Sequence, residues 1–466
     1  MTMNQRWTEP LARRRFFRAG AMGLGYSALA SMLQGEANPS RFPQRAKRVI
    51  FLFMKGGPSQ VDTFDFKPAL QRDHGKPLPF AKPKVQFAKT GNLLASPWSF
   101  DRYGESGHAI SELFPNLSKH ADELCFIHSL HGTNPAHGGA TLKLHTGSDN
   151  LIRPGMGAWV SYGLGSENEN LPAYVTICPT LAHGGAQNWG SAFLPTVHQG
   201  CPIGNASDLA EKAKIRHISN GKLTFVQQRS QLAMIRSLNE SFHFKGGFGE
   251  ERLNQRIDSF ELAFRMQGSV PEAQDLSGET LSTRKLYGLD VPLTKDFGQQ
   301  CLMARRFAER GVRFVQVTHS DQKVQWDQHG NLRAGHAERA AQVDLPIAGL
   351  LSDLKARGML DDTLVVWGGE FGRTPTVQGP KMDGRDHNPH GFTIWMAGGG
   401  VKGGFAYGST DEYGYYAQEN PVHVHDFHAT LLALLGLDHE KLTYRHAGRD
   451  FRLTDVGGRV VHEIFA

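Results

Sequence analysis

The residues best suited to chemistry in this 466-residue chain are histidines and carboxylates that follow or precede short apolar runs. They fall in five groups, which are Asp62 and Asp65; His131, His137 and His145; His319, Asp321, Asp327 and His329; Glu370 and Arg373; and Asp386, His387 and His390. Carboxylates and neutral imidazoles together are suitable ligands for Zn²⁺, Mn²⁺ or Fe. Several of each could hold two ions, and a metal pair about 3.5–4 Å apart can stabilise the attacking and leaving oxygens of an ester displacement.

Each of these residues also has an ordinary structural role to be weighed against metal binding. A single loop histidine is commonly hydrogen-bonded to its own loop, and Asp65 and Asp321 stand where turn or cap residues belong. Asp386 and His387 precede Asn-Pro, a turn signal that explains their polarity by itself. The metal interpretation therefore depends on the joint pattern, because all five groups carry ligand-type residues.

A parallel sheet would bring these groups together. Residues 48–54 (RVIFLFM) form a continuous apolar run, which is typical of a strand buried on both faces. Similar runs occupy residues 124–128, 173–177, 312–318, 363–367 and 392–396. Ligands of such sheets bind beyond the carboxyl ends of the strands, so we expect the candidate residues at one edge.

Helical patterns lie between the later strands. Apolar residues from Val343 to Leu354 recur at helical spacing, and Gly358 stands where a helix would end. Residues 426–435 (DFHATLLALL) indicate another helix. Strands alternating with helices predict an α/β fold, a doubly wound, mostly parallel sheet sandwiched by helices. Residues 205–305 are charged and helical in pattern, and predict a helical insertion in a single domain of residues 47–466.

The N-terminus has the pattern of an export signal. The stretch from Arg13 to Arg18 (RRRFFR) resembles the twin-arginine motif, and a short run of small and apolar residues follows it. We therefore expect a signal peptide over residues 1–33, a linker over 34–46 and a periplasmic or secreted protein. The apolar run is too short for a membrane span, and no stable membrane anchor is expected.

Charge and cysteine content exclude other classes. The formal charge is +6, but residues 1–30 carry a net +4, which leaves +2 for the rest. A nearly balanced body has little electrostatic reason to bind nucleic acid. The four cysteines are widely spaced, so they predict neither a disulfide framework nor a thiolate zinc site.

Three strings identify a family resemblance. They are GGPSQVDTFD (56–65), VVWGGEFGRTP (365–375) and GRDHNPHGFTIWMAGGGVKGG (384–404). Together they resemble the bacterial sulfatase-like family called domain of unknown function 1501, of the alkaline phosphatase superfamily. The resemblance runs from about Ala46 to the C-terminus. It implies a doubly wound sandwich with metals at the strand ends and hydrolysis of phosphate or sulfate esters.

The resemblance also implies metal ligands. Asp62 matches the aspartate that follows the first strand, and Asp327 with His329 resembles the Asp/His pair of a second metal. That pair is spaced Asp-x-His rather than Asp-x-x-x-His, so His319 is an alternative. Glu370 takes the place of the aspartate in an Asp-His pair, but Phe371 replaces the histidine. His390 or His387 resembles a later histidine ligand.

The nucleophile is the largest departure from the superfamily pattern. Counting back ten residues from Gly147 reaches His137 where a Ser, Thr or Cys is expected. His137 could be a ligand, a general base or a covalent phosphoryl acceptor. Either a metal-bound hydroxide attacks directly, or the site only binds. Arg373 could hold an anionic substrate in a bidentate fork or form a loop salt bridge.

The sequence therefore predicts an exported metal-dependent hydrolase that uses one or two divalent ions, Zn, Mn or Ca. We expect a small-molecule or polysaccharide ester as substrate and the twin-arginine machinery as partner. The alternative is a non-catalytic protein that binds metal or anionic polysaccharide on a degenerate hydrolase fold.

Overall fold

Strand β1 (Arg48–Met54) shows why the central sheet is covered on both faces. Its even-numbered residues from Ile50 to Met54 pack into one hydrophobic core, and its odd-numbered residues from Val49 to Phe53 pack into another. Successive side chains of a strand point to opposite faces, so a continuous apolar run requires a layer of helices on each side.

The computed structural model describes residues 42–81, 89–216, 218–243, 250–320, 325–378 and 383–466. Residues 41–466 form one compact unit. The predicted signal peptide, the linker up to residue 41 and Asp321 lie outside the described residues. The further strands are β2 (Phe100–Tyr103), β3 (His108–Ser111), β4 (Leu124–His131), β5 (Tyr174–Ile177), β6 (Cys201–Ile203), β7 (Phe314–His319), β8 (Thr363–Gly368), β9 (Gly372–Gln378), β10 (Gly384–Asn388), β11 (Phe392–Ala397), β12 (Phe405–Tyr407), β13 (Ser409–Thr410), β14 (Ala417–Glu419), β15 (Val422–His423), β16 (Tyr444–His446) and β17 (Arg449–Phe451).

Nine of these strands form the main sheet. Its order is β12-β4-β11-β8-β1-β7-β5-β6, and β15 pairs with β4. Within the described sheet, β11 runs antiparallel to both of its neighbours, β8 and β4, and the other pairs are parallel. The remaining strands form two-stranded hairpins, of which β9–β10 borders the candidate site. The predicted doubly wound, mostly parallel α/β fold is confirmed.

Helices cover both faces of this sheet. They are α1 (Gln60–Thr63), α2 (Pro68–Arg72), α3 (His137–Thr146), α4 (Met156–Leu164), α5 (Phe225–His243), α6 (Glu250–Gln274), α7 (Leu281–Leu286), α8 (Pro292–Glu309), α9 (Leu332–Ala356) and α10 (Val424–Leu434). Apolar residues of α8 and α9 belong to the first core, and those of α4 and α10 belong to the second. None of the described helices is long and apolar enough to cross a membrane.

The region predicted as a helical insertion contains two different parts. Helices α5 and α6 pack against each other. Helix α8 lies mostly within the predicted range of 205–305, yet it packs against β7 and β1 and so belongs to the layer that covers the sheet. Its amphipathic pattern resembles that of α5 and α6 because each of these helices buries one face.

The carboxyl ends of the central strands meet at one edge. Met54 of β1 lies beside His319 of β7, and Phe53 lies beside Gly368 of β8. Because β11 runs the other way, its first residue, Phe392, lies at that same edge, opposite Leu130 of β4. The loops that follow β1, β4, β7 and β8 and the segment that precedes β11 therefore converge, as expected for this fold.

Two buried histidines make the fold sensitive to acid. His336 Nε2 accepts a hydrogen bond from the Ser59 N–H at 3.0 Å, and His319 Nδ1 accepts one from the Trp326 indole at 3.0 Å. Burial lowers the pKa of each histidine to about 3. Their unfolded pKa is about 6.5, so the unfolded chain binds protons first as the pH falls. The stability that they contribute is complete above about pH 6.5 and is lost between about pH 6.5 and 3.

We expect the free energy of unfolding to fall by about 2 kcal/mol per buried histidine between pH 7 and pH 5. Urea unfolding at the two pH values measures this fall. His336→Gln keeps a side-chain acceptor for Ser59 and should flatten the pH dependence, whereas His446→Gln, at an exposed position, should not. Equal pH dependence in wild type and His336→Gln would contradict the explanation.

Candidate metal centre

His137 is the first residue of α3, in the segment that follows β4. Its Nδ1 lies 2.7 Å from Glu370 Oε1, and its Nε2 lies 3.3 Å from Asp327 Oδ2. Both ring nitrogens face a carboxylate oxygen, which only accepts hydrogen bonds when ionised, and Glu370 is the nearer of the two acceptors. A proton on Nδ1, toward Glu370, leaves the lone pair of Nε2 facing Asp327. Nε2 is buried and has no aligned hydrogen bond among the described residues. A lone pair that faces a carboxylate oxygen requires a cation or a proton between the two atoms.

Two more imidazoles are held in the same way. His387 Nδ1 lies 2.6 Å from the carbonyl oxygen of Pro135, and His329 Nδ1 contacts Gln378 Oε1. These acceptors leave both Nε2 atoms directed at Asp327 Oδ1, at 3.1 Å for His387 and 3.0 Å for His329. The two Nε2 atoms are 3.0 Å apart. Metal-binding histidines are usually oriented by such an acceptor on the second ring nitrogen.

The donor atoms form two overlapping groups, each close enough to hold one ion. His137, Asp327 and His387 each offer an atom within 4.8 Å of the others, and His329, Asp386 and His387 form the second group. We call His137, Asp327, His329 and His387 the Asp327 cluster. Imidazoles together with a carboxylate fit Zn²⁺ or a similar first-row ion in type. Asp386 lies in β10, where its Oδ1 accepts a hydrogen bond from the backbone N–H of His387 at 2.8 Å.

The Asp327 carboxylate is ionised despite its burial. Burial acts to raise the pKa of Asp327, but Arg373 and the three imidazoles hold that pKa far below its ordinary value. The hydrogen bond to Asp327 in turn raises the pKa of His329. Burial lowers the pKa of His387 to about 4. Protons and metal ions compete for the same imidazole lone pairs. The negative charge of Asp327 attracts protons and metal ions alike.

Glu370, predicted as a ligand, contacts the Nδ1 of His137, whereas Asp327 faces the Nε2 of that ring. Both of its carboxylate oxygens accept from the Gly56 N–H at 3.0 Å, Oε1 also accepts from His137, and the buried Lys55 ammonium is 3.6 Å from Oε1. Burial alone would raise the pKa of Glu370, but Lys55 and His137 hold that pKa well below its usual range. The carboxylate is therefore placed to orient His137, it belongs to neither described group of donor atoms, and its metal binding stays a prediction.

Asp62, also predicted as a ligand, lies outside the Asp327 cluster. Arg385 binds its two oxygens in a bidentate fork, with Nε 2.6 Å from Oδ2 and an Nη 3.0 Å from Oδ1. Ser59 Oγ donates to Oδ2 at 2.5 Å. Both side chains of the ion pair are fully buried. This carboxylate therefore neutralises a buried guanidinium, and its metal binding stays a prediction.

His390 lies apart from the described donor groups, and Arg373 forms a buried ion pair. His390 is half-buried, with its ring 5.5 Å from that of Tyr416, and it belongs to neither group of donor atoms. Arg373 is fully buried and donates to the carbonyl oxygens of Gly57 at 2.9 Å and Arg385 at 3.3 Å, and to Asp327 at 2.8 Å. These protein oxygens occupy the guanidinium, and the ion pair with Asp327 is the loop salt bridge predicted as the alternative to binding an anionic substrate.

Some neighbours of the Asp327 cluster were not predicted. The His183 ring stacks on His137 with centroids 5.0 Å apart, and its backbone has the left-handed φ of 57°. Phe371 stacks against His387 at 4.4 Å. His183 follows β5, so the argument from strand ends would have found it had the loop after residues 173–177 been searched for ligand-type residues. Lys55 directly follows β1 and carries no signal that distinguishes it from a surface lysine.

Solved structures similar to the chain share little sequence with it. A sulfatase from Pseudoalteromonas sp. is 14% identical, with 89% of this chain and 71% of that chain covered and a TM-score of 0.36. A phosphonate monoester hydrolase from Silicibacter pomeroyi is 13% identical, with 70% of this chain and 69% of that chain covered and a TM-score of 0.35. An alkaline phosphatase from the Antarctic bacterium TAB5 is 10% identical, with 76% of this chain and 92% of that chain covered and a TM-score of 0.32.

The sequence itself gives a more specific result. Comparison with curated proteins finds no match. A family described as "Protein of unknown function (DUF1501)" matches residues 46–465, which is nearly the whole chain outside the predicted leader and linker. This range agrees with the three strings that carried the resemblance. The chain therefore belongs to the DUF1501 family.

Proposed function

We propose that the protein is a metal-dependent hydrolase of phosphate or sulfate esters. The observation that carries the proposal is the orientation of three imidazoles. His137, His329 and His387 each direct Nε2 at Asp327 while an acceptor holds Nδ1. Nothing but a proton or a cation satisfies such an arrangement, and the site lies where ligands bind in this fold. The resemblance to the alkaline phosphatase superfamily supports ester hydrolysis as the reaction.

The proposed ligands are His137, Asp327, His329 and His387. A divalent metal held there would polarise an ester oxygen and make water a stronger nucleophile near neutral pH. The chain's own contribution is to fix the donors before the ion arrives. Glu370 keeps the His137 proton on Nδ1, and the cation of Arg373 keeps Asp327 ionised.

His137 occupies the position of the superfamily nucleophile, but its surroundings favour a role as ligand. Covalent attack needs a free ring nitrogen that faces the substrate. The Nδ1 of His137 donates to Glu370, and its Nε2 faces Asp327. We therefore propose direct attack by water rather than a phosphoryl- or sulfuryl-histidine intermediate.

The types of donor atom in the Asp327 cluster also reduce the range of metals that we propose. Ca²⁺ prefers six to eight oxygen ligands, which a cluster with three imidazoles does not provide. Zn²⁺ and Mn²⁺ accept imidazole together with carboxylate. We propose one ion of Zn²⁺ or Mn²⁺ in the Asp327 cluster.

A metal and turnover assay tests this function. The purified protein is analysed for metal and then assayed with p-nitrophenyl phosphate and p-nitrophenyl sulfate, before and after chelation and re-addition of Zn²⁺ or Mn²⁺. We expect about one ion per chain and turnover that chelation abolishes and the metal restores. A stoichiometric metal without turnover would support the non-catalytic binding protein instead. A metal-free protein that also fails to take up added metal would reject the hydrolase and the metal-binding form of the alternative.

Glu370→Gln tests the role of the residue that orients His137. The substitution removes the negative charge that holds the His137 Nδ1 proton, and we expect metal affinity to fall by about 10–100-fold. Titration calorimetry with Zn²⁺ or Mn²⁺ measures the change. Glu419→Gln, in strand β14 outside the Asp327 cluster, is the control and should bind metal normally. Normal affinity in Glu370→Gln would show that His137 needs no acceptor.

A further inference from the structure

A cavity of about 700 Å³ lies beside the edge strand of the main sheet. Strand β6, the loop after β5 and helix α6 form its walls. None of its lining residues belongs to the Asp327 cluster. Cavities that bind small molecules have volumes of about 300–1,000 Å³, so this space is large enough for one.

The walls of this cavity are mostly apolar, but two cations line it as well. Its apolar lining includes Pro179, Trp189, Ile218, Leu262 and Met266. The cations are Arg216 and Arg256, both of which are exposed side chains. Among the described residues, neither arginine forms an ion pair with a carboxylate. The cavity therefore combines an apolar interior with positive charge that no carboxylate of the described residues pairs with.

We propose that this cavity binds an amphipathic anion, with an unbranched alkyl chain in the apolar space and a carboxylate, sulfate or phosphate head group at Arg216 and Arg256. Burial of the alkyl chain supplies the main driving force, because each buried CH₂ contributes about 0.8 kcal/mol. Charge complementarity selects an anionic head group over a neutral one. Leu181 and Phe260, which are 70% and 51% exposed, extend the apolar lining toward solvent.

A bound peptide strand fits the same surface less well. Strand β6 is three residues long and contains Pro202, which has no backbone N–H to offer to a further strand. Edge strands of this kind resist pairing with another chain. The ligand is therefore a small amphiphile rather than an added β-strand.

The cavity and the Asp327 cluster share one loop but are separate sites. His183 of the β5–β6 loop stacks on His137, whereas Leu181 and Trp189 of the same loop line the cavity. The proposal does not depend on ester hydrolysis or on a bound metal. Asp327→Asn should therefore leave binding in the cavity unchanged.

Calorimetric titration with decanoate and with 1-decanol tests the proposal. We expect decanoate to bind at one site per chain and about 10-fold more tightly than decanol, because the alcohol lacks the charge that Arg216 and Arg256 attract. The double variant Arg216→Glu/Arg256→Glu should weaken decanoate binding at least about 10-fold and leave decanol binding unchanged. Arg229→Glu, an exposed arginine of α5 outside the cavity lining, is the matched control.

A second variant fills the space instead of changing the charge. Ala263→Trp, on the cavity-lining face of α6, should abolish binding of both ligands while the unfolding temperature shows that the variant is folded. Absence of decanoate binding to the wild type would overturn the proposal, and so would equal binding to the double arginine variant. A dimer in solution that dissociates on Ala263→Trp, with no ligand binding, would show that a second copy covers this surface instead.

Discussion

Replacing Asp327 by Asn is expected to lower metal affinity and ester turnover by at least about 100-fold, a larger effect than the loss of a residue that only orients a ligand. Three imidazole Nε2 atoms are directed at the Asp327 carboxylate, at 3.0–3.3 Å. Asn has nearly the same shape but no negative charge, so the three lone pairs lose the anion that holds a cation among them. Metal analysis and p-nitrophenyl ester assays on the purified variant measure both losses.

Asp65→Asn is the matched control for Asp327→Asn. Asp65, like Asp327, lies in a segment that follows a sheet strand, but its partners are Lys67 at 3.0 Å and Thr410. We expect this variant to keep its metal and its turnover. If Asp327→Asn binds metal as the wild type does, the Asp327 cluster is not the metal centre. If both variants lose activity together with folded structure, as judged by circular dichroism, the double variant His329→Ala/His387→Ala replaces Asp327→Asn in the same assays, and it should lose metal and turnover while folded.

Asp62→Ala is expected to reduce the free energy of unfolding by about 3–5 kcal/mol. The substitution removes both carboxylate oxygens from the Arg385 guanidinium, which is fully buried and would keep its charge without a counter-ion. A shift of the urea midpoint, at unchanged slope, measures the loss. The metal content per folded chain should remain that of the wild type, because Asp62 lies outside the Asp327 cluster.

A double substitution separates the two roles that Asp62 could have. Asp62→Leu/Arg385→Met replaces the buried ion pair by apolar side chains of similar volume, and we expect it to recover most of the lost stability. The recovered variant should still bind metal. Loss of metal from a stable double variant would show that Asp62 is a ligand after all, as the superfamily resemblance implies.

The architecture could be predicted from the sequence, and four of the eight predicted site residues form the Asp327 cluster. The apolar run of residues 48–54 specifies a two-faced strand through hydrophobic burial alone, and it forms β1 as expected. His137, Asp327, His329 and His387 could be predicted because each lies in a segment that follows or precedes a strand of the main sheet. Topology brings such segments together regardless of their distance along the chain.

The positions that the sequence could not resolve depend on side-chain partners far away in the chain. Asp62 matches a metal ligand by its position after β1, but Arg385, 323 residues later, occupies its oxygens. Glu370 was placed in the right loop, and only the three-dimensional structure shows that Gly56 and Lys55 surround its carboxylate. The direction in which a loop side chain points is set by such contacts and not by spacing.

Crystals of the protein grown with Zn²⁺ or Mn²⁺, measured at the absorption edge of that metal, test the central claim most directly. We predict one anomalous peak within bonding distance of His137 Nε2, His387 Nε2 and a carboxylate oxygen of Asp327. An anomalous map with no peak in the Asp327 cluster, or with its main peak at Asp62 or His390, would contradict the proposed metal centre.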